Sequence, residues 1–151
     1  GALAEGMYAS CQPAGAASPD AQLHALARGR RMPVEQIENV EEMVFTFDEM
    51  PPASQVALLR HFLRHREALD VLAERTLRHY LLGDLEGLWH AQRAELMKRV
   101  VLDRSVVMAF RAQRELRRGR AFVAVGALHL YGPRGMLALL EADGYPVTRL
   151  Y

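Results

Sequence analysis

The sequence predicts a helix-rich α/β fold with a small mixed or parallel sheet. Three observations predict it. Apolar residues recur every three or four positions over most of residues 20–118, which is the helical period. Residues 121–125, Ala-Phe-Val-Ala-Val, form an unbroken apolar run with β-branched members, the pattern of a strand buried on both faces. A Gly-Pro turn, a short helical stretch and a second strand-like run then follow, which together read as a parallel, right-handed β-α-β unit.

The elements follow in order. Residues 1–17 are rich in Ala, Gly, Ser and Pro without a period and read as a flexible lead-in, with residues 18–151 as the folded part. Ser18-Pro19-Asp20 is a helix start, a cap followed by Pro at the first helical position. The helix over 20–28 carries Leu23, Leu26 and Ala27, and Gly29 ends it. A strand is expected at 34–37. Asn39 with Glu42 forms a capping box that opens a helix presenting Val40, Met43, Val44 and Phe47, and Pro51-Pro52 break it.

Three further helices are expected. Residues 54–65 align Val56, Leu59, Phe62 and Leu63; residues 68–82 align Leu69, Leu72, Leu77, Tyr80 and Leu81. Asp84 caps a stretch that turns Leu85, Leu88, Trp89 and Leu96 inward. Residues 103–118 form the next helix, with Val106, Val107, Ala109 and Phe110 as its apolar set. Its Arg-rich last turn suits the helix dipole. Strands are expected at 122–125 and 147–150, with a crossover helix over 135–143 between them.

Composition bounds the function. The 151 residues are 50% hydrophobic and 25% charged, enough for one domain with a sizeable core. A net charge of +1 gives no field for nucleic acid or an acidic membrane. Lys98 is the only lysine among 19 basic residues. Such arginine preference suits phosphate contact or simply reflects a GC-rich genome, and the 18 interleaved acidic residues favour the second reading. No apolar run reaches the length of a membrane span, and residues 1–10 lack the pattern of a signal peptide. The chain does not open on Met, as expected of a processed or truncated product. Cys11 stands alone, which forbids an internal disulfide and a cysteine metal cluster.

Three residues carry candidate chemistry. His129 lies just past the carboxyl end of the buried strand, where open α/β sheets bind ligands, and it reads as a metal ligand or an acid/base. The alternative is a core histidine bonded to a backbone carbonyl. Glu38 ends the first expected strand; the alternative is a carboxylate that favours a helix start. Arg104 sits in the first turn of its helix, where a cation opposes the dipole, so it calls for an anionic partner. Asp103 or Glu115 would serve as well as a site carboxylate. His61 and His65 share a helical face but lack the acidic residue of the metalloprotease pattern. His24, His79 and His90 read as surface or partly buried.

Four motifs resemble the TraB/GumN family, whose wider group includes the Tiki metalloproteases. They are the segment from Ala121 to Leu150 with its Gly126-Ala127-Leu128-His129; Ile37-Glu38-Asn39-Val40-Glu41-Glu42; Tyr80-Leu81-Leu82-Gly83-Asp84-Leu85; and Asp103-Arg104-Ser105. They run in the family's order and cover about residues 21–151. The chain departs from the pattern in having one Gly-x-x-His where the family has two, Ser105 where Asn is usual, and Met43 where Gln is usual.

The resemblance implies a divalent-metal-dependent, peptidase-like hydrolase in a bacterial periplasmic or secreted setting. It implies His129 and Glu38 as metal ligands, the ion being Mn, Co or Zn. Glu38 would alternatively act as general base, and Arg104 would stabilise anionic charge. The competing expectation is a non-catalytic binding or regulatory module of the same fold. A peptide or small molecule is the expected substrate, and no nucleic acid partner or membrane span is expected. His and Glu alone are too few for a metal shell, so weak or absent binding is expected until an upstream His motif or a partner chain completes it.

Overall fold

The computed structural model describes residues 17–92 and 98–150. Most of the expected lead-in, Cys11 and Leu96 lie outside the described residues, as does the side chain of Phe47. The chain forms two compact units, 1–36 and 37–151.

In the first unit, helix α1 spans Pro19–Gly29. Ser18 Oγ accepts from the Ala21 N–H at 3.2 Å, and Pro19 sits where its missing N–H costs nothing. Residues 33–36 follow outside any helix.

The second unit is helical throughout its regular parts. Helix α2 (Val40–Asp48) opens with the expected capping box. Asn39 Oδ1 accepts from the Glu42 N–H at 2.7 Å, and Glu42 Oε2 accepts from the Asn39 N–H at 3.1 Å. Helices α3 (Pro52–Arg64) and α4 (Ala68–Leu81) follow. Gly83, at φ +63°, turns the chain into Asp84, which caps α5 (Leu85–His90) by accepting from the Gly87 N–H at 2.9 Å.

A π-helical turn, Lys98–Asp103, runs into α6 (Arg104–Arg118), which Gly119 stops. A 3₁₀ turn (Ala127–Leu130) carries His129, and α7 (Met136–Ala142) closes the regular structure. The core is Met108, Ala109 and Ala112 of α6 against Met136 of α7, with Ile37, Leu116, Val123, Val125 and Leu139 packed around it. Two alanines on α6 let α7 approach closely.

The expected α/β fold is corrected here. No strand occurs among the described residues, so there is no sheet and no β-α-β pairing. The apolar run at 121–125 is extended and covers the core with Val123 and Val125, while Phe122 is 77% exposed. It therefore has the two-sided alternation of a strand, not burial on both faces. Residues 147–150 lie largely exposed, and the run at 34–37 straddles the boundary of the two units. A strand needs a neighbour for its N–H and C=O groups, and an apolar β-branched pattern favours extended backbone without supplying that neighbour.

Candidate functional site

The π-turn and the start of α6 build the site. In such a turn backbone bonds run from i to i+5, which loosens the slot usually filled by the N–H four residues on. Side chains use it here. Arg104 Nη1 donates to the Val100 carbonyl at 2.8 Å, and Ser105 Oγ donates to the Val101 carbonyl at 2.7 Å.

Arg104 also forks onto Glu38, 66 positions earlier in the chain. Its Nε donates to Oε1 and its Nη2 to Oε2, both at 2.5 Å. The pair is four-fifths buried, with side-chain exposures of 18% and 16%. Planar fork-on-carboxylate geometry makes this a strong, directional contact. The cation at the helix start thus finds a distant carboxylate. The nearer candidates pair elsewhere: Asp103 with Arg134, and Glu115 with Arg114 and Arg118.

Ser105, which the sequence marks only as a departure from the usual Asn and gives no role, joins the cluster. It is fully buried, and its Oγ lies 2.9 Å from His129 Nδ1. His129 is 8% exposed, and its N–H bonds back to the Gly126 carbonyl at 2.9 Å, which gives the 3₁₀ turn its shape. Burial pushes the imidazole below its usual value of 6.5, and the Arg104 cation pushes the same way. Glu38 and the Val101 carbonyl oppose them. Glu38, Arg104, Ser105 and His129 are therefore in one neighbourhood, close enough for their charges to act on one ring.

An open cleft of about 430 Å³ adjoins this cluster, lined in part by Glu38, Arg104, Glu42, Lys98 and Asp103. His129 is not among its lining residues. Glu42 at the rim is held by Arg111 through two bonds of 2.6 and 2.7 Å. That guanidinium, with the Asn39 N–H, brings its carboxyl down from 4.5 to about 2.

The other histidines do not join the site. His61 and His65 stack at 4.3 Å between ring centroids, with His65 Nδ1 3.0 Å from the His61 carbonyl. His79 pairs with Asp84 at 2.9 Å, and the Gly87 N–H, with His79 second, holds the Asp84 carboxyl low. Trp89 packs on Tyr131 at 5.9 Å, which ties α5 to the end of the His129 turn.

The donor set can be weighed against a divalent ion. Both Glu38 oxygens already accept from Arg104, so a cation there would share them with a guanidinium. No group of three His, Cys, Asp or Glu side chains converges among the described residues. A catalytic zinc site uses about three protein ligands. The described residues alone therefore do not fit a complete metal site.

The family profile described as TraB/PrgY/gumN matches residues 2–149. The chain belongs to the TraB/PrgY/gumN family. No curated protein and no solved structure matches it. Among the described residues, no helix is long and apolar enough to cross a membrane.

Proposed function

We propose that this chain carries part of the active site of a hydrolase acting on peptides or on small molecules with an amide or ester bond. The observation that supports the reading best is the convergence of Glu38, Arg104, Ser105 and His129 from three separate stretches of a family member. His129 is a buried imidazole biased toward its neutral form, as a base or a metal ligand must be.

As a base, the ring takes a proton from water while the water oxygen bonds to the substrate carbonyl carbon. It returns that proton to the leaving group as the scissile bond breaks. Arg104 spends three of its five N–H groups on Glu38 and Val100, which leaves two for the developing oxyanion. Glu38 holds that guanidinium in place. A divalent ion, Mn, Co or Zn, belongs to the same reading, with His129 and Glu38 as this chain's donors beside further donors from outside the described residues. Such an ion would acidify a bound water. His129 has one free lone pair, so it serves either the ion or the proton.

The test is hydrolysis of a fluorogenic peptide pool, with and without Mn²⁺, Co²⁺ or Zn²⁺. His129→Gln should lower turnover by about 10²- to 10⁴-fold with the fold retained. Equal turnover by the variant would remove His129 from the chemistry. A binding or regulatory module is the second reading, favoured by the pairing of both Glu38 oxygens with Arg104. It predicts saturable binding of a peptide with no turnover under any metal.

A further inference from the structure

The neighbours of His129 determine which ring nitrogen carries the proton. Ser105 Oγ contacts two groups, the Val101 carbonyl at 2.7 Å and His129 Nδ1 at 2.9 Å. A hydroxyl has one proton to give. The carbonyl can only accept, so the hydroxyl proton belongs to Val101. Toward His129, Oγ can then only accept, and Nδ1 must be the N–H. The Val101 carbonyl also bears on the imidazole as an acceptor, which favours a proton on the ring. The reverse arrangement, Ser105 donating to Nδ1, would take the hydroxyl proton away from a carbonyl in a buried position, at a cost in free energy. Among the described residues, no buried side-chain nitrogen or oxygen lacks a partner.

We infer that Ser105 is a positioning residue that fixes His129 as its Nδ1–H tautomer, so that Nε2 is the nitrogen left with a lone pair to accept a proton. The π-turn makes this possible, since it supplies the Val101 carbonyl that orients the hydroxyl. Arg104 is anchored on the preceding carbonyl in the same way, so one backbone irregularity sets two adjacent site side chains. The inference deepens the hydrolase reading and rests on it only for what Nε2 acts upon.

The experiment is a long-range proton–nitrogen correlation spectrum of ¹⁵N-histidine-labelled protein, recorded above the ordinary imidazole value of 6.5. The His129 signals are identified by their loss in His129→Gln. Nδ1 should show a pyrrole-type and Nε2 a pyridine-type nitrogen signal. The opposite pattern, or an even average, overturns the inference. In Ser105→Ala the ratio of the two tautomers should fall about tenfold, the effect of one lost hydrogen bond. Ser105→Thr, which keeps the hydroxyl, should hold the original pattern. A folded Ser105→Ala protein with an unchanged ratio also overturns it. Should Ser105→Ala fail to fold, the unsubstituted protein and Ser105→Thr decide the question. Zn²⁺ added to the same sample separates the two readings. An unmoved Nε2 signal beside an intact Nδ1–H counts against the metal and leaves the role of Ser105 standing.

Discussion

Helices α4 and α6 are nearly equal in length, 14 and 15 residues, and both repeat apolar side chains at helical spacing. Their fates differ. Helix α6 buries Ser105, Met108, Ala109 and Ala112, whereas α4 buries nothing, and Val71, Leu77 and Leu81 remain more than half exposed. The covered stripe is three small residues and one methionine, and the uncovered one is made of large residues. Burial here follows from what packs opposite: two alanines admit α7 and Met136, and they place the 3₁₀ turn with His129 beside Ser105. The Ser105–His129 contact lies on the covered side. Precise placement of side chains needs neighbours that fix their rotamers, and α6 has them.

Met136→Ala separates the two regions most strongly. Met136 is 2% exposed at the centre of the core, and its truncation should cost about 2–5 kcal/mol in urea unfolding. A loss near zero would mean that the α6–α7 contact does not organise the unit. Next is the Glu38–Arg104 pair. Glu38→Gln and Arg104→Met should each cost about 1.5–3 kcal/mol, and the double variant less than their sum. Additive losses would show that the fork does not form.

Glu42 gives a pH-dependent effect. Its folded carboxyl is held at about 2, below its usual 4.5. Its contribution is therefore present above 4.5 and is lost as pH falls toward 2. Glu42→Gln should flatten the acid-unfolding curve across that window, and an unchanged slope would count against the Arg111 contact. The smallest effect belongs to α4: Leu77→Ala should change stability by no more than about 0.5 kcal/mol. A loss as large as that of Met136→Ala would show that α4 is covered after all.

Legibility in the sequence follows the same divide between local and distant causes. Ser18, the Asn39–Glu42 box and Asp84 read correctly as caps because a cap bonds within three residues of itself. Helix ends agree to within two residues at α1, α3, α4 and α7, because helical periodicity and the breakers Gly and Pro are also local signals. The absence of a sheet among the described residues is not legible in the sequence, whose apolar β-branched runs predict one. Val123 and Val125 do face the core, but the pattern could not reveal that no strand lies alongside among the described residues. Arg104 showed its need of a partner through its place at a helix start, and only the fold could name Glu38 over Asp103. Ser105 shows in the sequence only as a departure from the family's usual Asn, and its contact with a ring 24 positions away comes from the fold alone.

Glu38, Arg104 and His129 form one electrostatic unit, and the protonation of His129 is its most direct readout. The measurement is an NMR titration of the His129 ring proton in the unsubstituted protein, in Arg104→Met and in Glu38→Gln. The unsubstituted protein should titrate below 6.5, because burial and the Arg104 cation both disfavour the imidazolium. Removing the cation should raise the midpoint, and removing the carboxylate should lower it further. A midpoint that neither substitution moves would contradict the claim and leave the ion pair and the histidine as separate features of the fold.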